Sequence, residues 1–532
     1  MSEAAEAPAE NDTAKPSGAE EAPVSLKTWF TVWGSVIGAF IAVLNIMITN
    51  SSLKDIQGAL SATLHEGSFI STAYLTAEVV VIPLTAWFVQ IWGLRRFVLA
   101  ASGVFIVATL ACALAWNLES MLVFRTIAGF AGGTFIPLSF TCILTLLPTS
   151  KQPLGIAMFS LTATQAPSIG PTLGGYLTEN MGWQSIFYMQ IIPTTLMFAI
   201  LWWGLEKSKG NRNLLKTGDW PGIIMLSVAL GAMIIILEEG NRLDWFESDA
   251  IVRGSMLAGG CFLIFLYRQL WGTNPFINVR LFKRWNFALA NFVGVILGLG
   301  LYGTIFITPL YLAQVQDYNA WQTGLTMMWF GFPQLIMVPL LVKLMKTTDP
   351  RHLVAIGCVI FAWSCLININ MTADDAYDQL LFANFIRGFG QPFISIPLAV
   401  IATVGIEQEQ AGSASGLYNL TRNLGGAVGI AFLATFLSIR EQYHSSHIVE
   451  NISLYNPFVV ERLEGLQGFF TSRGSDATLA QEQALRAVDA LARREAYVMA
   501  YNDAFYFVGA AFMVGAVLTY MIKKQAPPSA GA

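Results

Sequence analysis

The sequence predicts an all-α integral membrane protein, and three observations lead to this fold class. The chain has 532 residues, of which 55% are hydrophobic and only 12% are charged, about half the charged fraction of an ordinary soluble domain. Its mean hydropathy is +0.56. Apolar runs of about 20 residues, long enough to cross a bilayer as helices, recur along the chain. These observations exclude a soluble multidomain protein.

Charge and cysteine usage exclude several other classes. The formal net charge is -4, so no excess of positive charge is available to neutralise nucleic-acid phosphates. The five cysteines lie inside apolar stretches, and the chain has only four histidines. We therefore expect no disulfide framework, no metal site, no cofactor and no nucleic-acid partner.

The chain begins with a polar tail and continues with regularly spaced apolar runs. Residues 1–28 are predicted to be a disordered cytoplasmic tail, because the segment is acidic, rich in Ala and Pro, and lacks the pattern of a signal peptide. Fourteen membrane spans are predicted after it. They are placed at 29–50, 67–91, 97–116, 120–147, 153–176, 184–205, 220–238, 250–270, 286–313, 321–345, 352–371, 379–405, 412–438 and 500–522.

The positions of Lys and Arg predict the orientation. With a cytoplasmic N-terminus, the inner segments collect most of the basic residues, whereas the short outer loops hold chiefly Lys54 and Arg242. An even number of spans then places both termini in the cytoplasm.

A repeated pattern divides the chain into two halves. Pro83, Leu84, Arg95 and Val98 recur 256 residues later as Pro339, Leu340, Arg351 and Val354. We therefore predict one six-helix bundle over 29–205 and another over 286–522. Two extra spans lie between them in a linker over 206–285, and residues 523–532 form a second cytoplasmic tail. Parallel repeats of this kind are typical of transporters with a central site that is exposed alternately to the two sides.

One long polar segment interrupts the second half. Residues 440–498 alternate charged and apolar side chains in a helical pattern, and they are predicted to lie on the periplasmic side. Their length suits a docking or gating element, although a simple linker is an equal alternative.

The fifth predicted span carries the most specific motif. Gly170, Pro171, Gly174 and Gly175 occur in QAPSIGPTLGGYL, and close helical glycines let another helix approach the backbone while proline permits a bend. Ordinary small-residue packing is the alternative. The string resembles the antiporter motif of the major facilitator superfamily, and from about residue 29 to 522 the chain resembles its fourteen-span drug:proton antiporters. The resemblance implies the major facilitator fold.

Two further strings resemble family motifs but depart from them. The loop after span 2 keeps Gly93, Arg95 and Arg96 of the signature GxxxDxxGRR but has Gln90 in place of its aspartate. Positive-inside anchoring explains the two arginines equally well. In span 1, Asn45 replaces the aspartate that the family usually carries, and an amide cannot transfer a proton in its place.

Buried polar residues in the spans are candidates for proton coupling or substrate binding. Arg125 occupies the family's RxxxG motif in span 4, and it faces either a cavity or, by snorkelling, the nearby outer surface. Arg387 is its counterpart in the second half. Arg422 and Gln334 complete this group.

Glu78, near the middle of span 2, is the strongest chemical candidate. A carboxyl group at that depth is expected to be protonated, paired or facing water. Burial favours its protonated form and a nearby cation favours its ionised form, which are the properties of a proton carrier that competes with substrate. A permanent structural ion pair, for example with Arg125, is the alternative.

These features, with the resemblance, predict a proton-coupled exporter of amphipathic compounds in a bacterial inner membrane. The resemblance also implies a periplasmic adaptor and an outer-membrane channel as partners, beside membrane lipid. A transporter for one specific metabolite would have the same fold. An integral membrane enzyme is the distant alternative, because the sequence offers neither a Ser/His/Asp set nor a phosphate-binding loop.

Overall fold

The computed structural model describes residues 24–524, except 149, 209, 273–275, 408–409, 451 and 454. This described part is helical, with loops and turns between the helices. The first half contains α1 Leu26–Ser51, α2 Leu53–Ala59, α3 Leu64–Trp92, α4 Leu94–Ala113, α5 Leu118–Gly132, α6 Phe135–Leu146, α7 Gln152–Met181 and α8 Ser185–Gly204. The linker contains α9 Leu214–Thr217, α10 Trp220–Glu239 and α11 Asp249–Trp271. The second half contains α12 Trp285–Gln314, α13 Ala320–Leu344, α14 Pro350–Leu366, α15 Tyr377–Thr403, α16 Ala411–Glu450, α17 Pro457–Ser472 and α18 Ala477–Thr519. Short 3-10 helices cover Trp245–Glu247, Val279–Lys283 and Ile367–Asn370.

Every predicted span coincides with helix, and the predicted all-α membrane fold is confirmed. Within the described residues, thirteen helices are long and apolar enough to cross a membrane. One of them, Leu118–Leu146, joins α5 and α6 across a single turn. The predicted fifth span corresponds to α7, which is rich in Gly, Pro and Thr and is not among the thirteen. Its 30 residues are nevertheless long enough to cross the hydrocarbon core.

Local capping signals set several helix boundaries. A capping box of Thr63 and Glu66 begins α3, and Asn117 and Asn319 cap α5 and α13 in the same way. Gly93 ends α3 with a φ of +82°, a conformation that favours glycine, and α4 begins at the next residue. The connection between these two helices is therefore a single residue.

The two halves meet where α7 and α16 pack on helices of the opposite half. Helix α7 packs on α1 in its own half and on α13 in the other, and α16 packs on α3 and α6. The extra helices α10 and α11 pair with each other, and α10 packs on α3. One cluster of buried apolar side chains extends through both halves, so the repeated units form a continuous core.

The predicted periplasmic segment is an extension of two membrane helices. Helix α16 continues to Glu450, α17 is separate, and α18 runs without a break into the last predicted span. Between α16 and α18, Asp503 accepts from Arg440 Nε and lies next to His444 Nε2, each at 2.7 Å. These contacts fix the α16 part of the segment to α18.

The predicted tails fall largely outside the described residues. Residues 1–23 and 525–532 are not described, and α1 already begins at Leu26 with Ser25 as its N-cap. Helix α1 thus begins three residues before the predicted first span at residue 29, because the Ser25 hydroxyl caps the helix before the apolar run starts.

Candidate functional site

Arg125 and Asn45 lie together inside the first half. Asn45 Oδ1 accepts a hydrogen bond from Arg125 Nη1, and the carbonyl of Ile70 accepts one from Arg125 Nε at 3.1 Å. The guanidinium also lies over the ring of Tyr74, 4.5 Å from its centroid. Asn45 in turn donates to Gln190 Oε1 at 2.6 Å. Arg125 is fully buried, so its side chain points into the bundle and does not snorkel.

Arg387 occupies the corresponding position in the second half. It donates to Asn384 Oδ1 at 3.1 Å and lies over the rings of Phe361 and Phe505. Both halves therefore contain a buried arginine that contacts an asparagine oxygen and an aromatic ring. Cation–π contacts and charged hydrogen bonds of this kind offset part of the cost of burying a guanidinium.

Glu78 lies on a cavity between the two halves. The cavity has a volume of about 530 Å³ and is formed by α3, α10, α12 and α16. Glu78 is only 3% exposed, and its Oε2 has no hydrogen-bond partner among the described residues. Asn423 Oδ1, which also belongs to the cavity lining, lacks a partner in the same part of the chain. An unpartnered buried carboxyl oxygen is costly unless it is protonated or meets a ligand or water.

Arg422 brings a charge from the second half close to Glu78. Arg125 and then Arg422 are the cations whose fields act on the Glu78 carboxyl. The Arg422 guanidinium lies 6.0 Å from the ring centroid of Phe159 in the first half, and its Nε has no partner among the described residues. Among the described residues, no salt bridge joins Glu78 to Arg125 or to Arg422. Glu78, Arg125 and Arg422 therefore interact electrostatically across the contact between the two halves, without a direct ion pair.

The glycine motif of α7 packs against α1. A Cβ atom on Gly170 would lie 2.6 Å from Met47 Cβ, and one on Gly174 would lie 2.8 Å from the carbonyl oxygen of Ile48. Gly175 is also buried, and Pro171 lies inside the helix. The glycines thus permit close helix contact. On another face of α7, Gln165 donates to the Gly331 carbonyl of α13 at 2.6 Å.

The predicted loop motif holds helix ends together. Arg95 donates to the Trp202 carbonyl at the end of α8 at 2.7 Å, whereas Arg96 and Gln90 are exposed. In the second half, Arg351 donates to the Ile522 carbonyl just after α18 at 2.9 Å. The pKa of Asp349 is lower than usual because, although burial alone would raise it, hydrogen bonds from Arg351 favour the ionised form. The repeated arginines therefore bind carbonyls at equivalent helix ends.

Several cavity residues were not predicted from the sequence. Tyr302 and Asn423 lie near Glu78, and Glu238 and Asn241 lie at the outer end of α10. In the sequence, Glu238 and Asn241 belong to the acidic string EEGNRLDWF, whose charges alone do not indicate a cavity. Gln334, in contrast, donates to the Phe330 carbonyl of its own helix at 3.0 Å and is not part of this lining. No group of three or more metal-ligating side chains occurs within the described part of the chain.

Two six-helix halves around a central cavity define the fold of an alternating-access transporter. The family model of the Major Facilitator Superfamily matches residues 35–430. The chain belongs to this superfamily, and the predicted resemblance is confirmed. It is accordingly a multi-pass membrane transporter and not an enzyme.

Bacterial relatives cover nearly the whole chain. It is 32% identical over 499 residues to the colistin resistance protein EmrB of Acinetobacter baumannii, covering 94% of this chain and 97% of the relative. It is 27% identical to the multidrug export protein EmrB of Escherichia coli K12, covering 92% and 94%. The fatty acid resistance protein FarB of Neisseria gonorrhoeae is 28% identical, with coverage of 92% and 94%.

Solved structures share the fold at low sequence identity. The human organic anion transporter MFSD10 has a TM-score of 0.56 and 12% identity, covering 92% of this chain and 99% of that one. The proton:xylose symporter XylE has a TM-score of 0.55 and 11% identity, covering 94% and 97%. At these identities the likeness shows the fold alone.

Proposed function

We propose that this chain is a multidrug efflux transporter that exports amphipathic compounds in exchange for protons. The observation that carries the proposal is the position of Glu78, a buried carboxyl group with an unpartnered oxygen on a largely apolar cavity between the halves. A cavity of about 530 Å³ suits a drug-sized ligand. The Escherichia coli relative is named a multidrug export protein, which supports export as the direction of transport.

Proton coupling rests on competition at Glu78. The Asn45 amide does not titrate, and Arg125 already donates to that amide and to the Ile70 carbonyl. The Glu78 Oε2 atom, which has no partner among the described residues, can therefore be satisfied either by a proton or by a hydrogen-bond donor of a substrate in the cavity. Protonation from the outer side weakens substrate binding, and release of the proton to the inner side restores it.

Reconstitution tests the proposed exchange. Wild-type protein in proteoliposomes with an imposed pH gradient is expected to transport amphipathic compounds, with proton movement in the opposite direction. Glu78→Gln is expected to keep membrane insertion but lose gradient-driven transport, and Glu78→Asp to keep part of it. A matched control is Glu119→Gln, at the start of α5 and outside the cavity. Transport of one metabolite alone, without amphipathic compounds, would contradict the multidrug proposal.

The helical extension is the proposed docking site for a periplasmic adaptor that leads to an outer-membrane channel. Helix α17 presents an apolar groove lined by Phe458, Leu466 and Phe469, with Glu461 and Arg462 beside them. Phe458 is 80% exposed although it is a large apolar side chain. Exposed apolar patches with charged neighbours favour protein–protein contact. We favour a second protein rather than lipid as the occupant of this groove, because the charged side chains of Glu461 and Arg462 also line it.

Substitution of the groove tests the adaptor proposal. The double variant Phe458→Ser and Phe469→Ser is expected to retain transport in proteoliposomes but lose drug resistance in cells. Val449→Ser on α16, which removes an exposed apolar side chain outside the groove, is the control. Full drug resistance in cells that carry the double variant would contradict adaptor docking at this groove.

We also infer an inner-membrane location with both termini in the cytoplasm. The basic residues of the inner loops support this orientation. Reporter fusions at Gly210 and Asp375 are expected to report cytoplasm and periplasm respectively. The opposite pair of results would overturn the orientation.

A further inference from the structure

Arg422 is a buried cation that has only a weak contact with the rest of the described chain. Its side chain is 7% exposed, its Nε atom has no partner among the described residues, and none of their salt bridges includes it. The guanidinium lies 6.0 Å from the ring centroid of Phe159, which is the outer limit for a cation–π contact. A buried charge held so weakly is costly, so the contact with Phe159 does not by itself explain the arginine.

The packing of α16 on α3 sets which residues of the two halves face each other. A Cβ atom on Gly412 would lie 3.1 Å from Ala86 Cβ, and one on Gly416 would lie 3.7 Å from the carbonyl oxygen of Ile82. Residue numbers rise along α16 as they fall along α3, so the two helices are antiparallel. This register brings the middle of α16 next to Glu78.

Arg422 therefore lies close to the depth of Glu78. One turn further in the same register, Glu78 is level with Leu420, and Arg422 follows two positions later. Side chains of an α-helix lean toward its N-terminus, which directs the guanidinium back toward this level. The field of Arg422 accordingly acts on the Glu78 carboxyl. Two opposite charges, one from each half, thus face each other at one depth.

The two cations near Glu78 differ in their freedom to move. Arg125 is held by the Asn45 amide, the Ile70 carbonyl and the ring of Tyr74, whereas Arg422 has none of these restraints. Ionisable side chains around Glu78 come from α3, α5, α12 and α16, with one from α10 at the edge of the cavity: Tyr74, Arg125, Tyr302, Arg422 and Glu238. Within this group, Arg422 is the cation that can change its partner.

We propose that Arg422 is a positioning residue for Glu78, which pairs with the ionised carboxylate and returns to the ring of Phe159 when Glu78 is protonated. Protonation removes the negative charge, and with it the attraction that draws the guanidinium away from the ring. The pair joins α16 to α3, so the charge of Glu78 changes the attraction between the two halves. The inference rests on the proposed function and adds the residue through which Glu78 acts on the second half.

Infrared spectroscopy measures the charge state of Glu78 directly. Full-length protein in nanodiscs of neutral lipid is titrated, and the band of the protonated Glu78 carboxyl is obtained by subtracting the spectra of Glu78→Gln. The midpoint is the pH at which half of this band is lost. Arg422→Gln is expected to raise the midpoint by at least about one pH unit, because the ionised carboxylate loses its partner. An unchanged midpoint in folded Arg422→Gln would overturn the proposal.

Two further variants test charge and position separately. Arg422→Lys keeps the positive charge and is expected to shift the midpoint less than half as far as Arg422→Gln. Arg253→Gln makes the same charge change at an exposed position of α11 and is expected to leave the midpoint unchanged. A shift by Arg253→Gln as large as that by Arg422→Gln would show a general effect of net charge and overturn the pairing.

Removal of the ring distinguishes an exchange of partners from a fixed arginine. Phe159→Leu keeps every charge but removes the competing contact, so it is expected to lower the midpoint, opposite to Arg422→Gln. Phe187→Leu, in a separate cluster of buried apolar side chains, is the matched control. If Arg422→Gln does not fold, Phe159→Leu still tests the proposal. A midpoint in Phe159→Leu equal to that of the wild type would overturn the exchange.

The two proposals fail in distinguishable ways. If Arg422→Gln leaves the midpoint unchanged while Glu78→Gln loses gradient-driven transport, the pairing is wrong and the proposed function remains. If both midpoints shift as expected while Glu78→Gln transports normally, the pairing remains and proton coupling through Glu78 is wrong.

Discussion

Arg125 donates to the amide oxygen of Asn45, a neutral acceptor inside the first half. The buried guanidinium is thus held by an amide, a backbone carbonyl and an aromatic ring rather than by a carboxylate. This arrangement explains how Glu78 can lie near Arg125 and still have an oxygen without a partner among the described residues. It separates the structural role of Arg125 from the proposed proton-carrying role of Glu78.

Removal of the Asn45 amide is expected to destabilise the first half. Asn45→Leu leaves a buried guanidinium without one acceptor, and we expect a loss of about 2 kcal/mol in stability. Asn45→Asp keeps an acceptor for the guanidinium and is expected to retain most of the wild-type stability. Thermal unfolding in detergent measures both variants, with Asn180→Leu at an exposed position of α7 as the control. Equal melting temperatures for Asn45→Leu and wild type would contradict this account of Arg125.

The glycine face of α7 is expected to tolerate no additional methyl group. Gly174→Ala places Cβ within 2.8 Å of the Ile48 carbonyl oxygen, and overpacking of this kind costs about 1–3 kcal/mol. Gly259→Ala on α11 is the matched control, because nothing lies within 4 Å of its added Cβ. It is expected to change stability by less than about 1 kcal/mol, in the stabilising direction. Similar effects of the two substitutions on thermal unfolding would disprove close packing at Gly174.

The arginines at the two inner helix ends are both expected to stabilise the protein. Arg95→Ala and Arg351→Ala each remove a charged hydrogen bond to a terminal carbonyl, for which we expect a loss of about 1 kcal/mol. Arg351→Ala is expected to cost more, because it also removes the hydrogen bonds to Asp349. The two losses are expected to add in the double variant, because the sites lie in different halves. Arg96→Ala, at an exposed neighbouring position, is the control. A loss for Arg96→Ala as large as that for Arg95→Ala would favour general anchoring by charge.

The sequence predicted the spans and the repeat because both depend on local patterns. Apolar runs of membrane length identify helices directly. The offset that relates Arg95 to Arg351 also relates their structural roles, since each binds a carbonyl at the end of the last helix of its half. The glycine string in α7 similarly predicts a close helix contact, and the structure shows that the contacting helix is α1.

The cavity could not be predicted in the same way. Its lining combines residues from α3, α10, α12 and α16, which are distant in sequence. Glu238 stands at the end of an apolar run in the sequence, and its place on the cavity depends on the packing of α10 against α3. In the sequence, Glu78 is a possible ion-pair partner of Arg125, whereas the structure pairs Arg125 with the Asn45 amide. Only the packed structure decides between such long-range contacts.

The most direct test of the central claim is a measurement of the protons released when substrate binds at Glu78. Purified protein in weakly buffered solution near neutral pH is mixed with a saturating amphipathic ligand, and the pH change is followed with an indicator dye. We predict release of up to about one proton per ligand by the wild type and none by Glu78→Gln, at an occupancy verified by calorimetry. Equal proton release by both proteins at equal occupancy would contradict the assignment of Glu78 as the proton carrier.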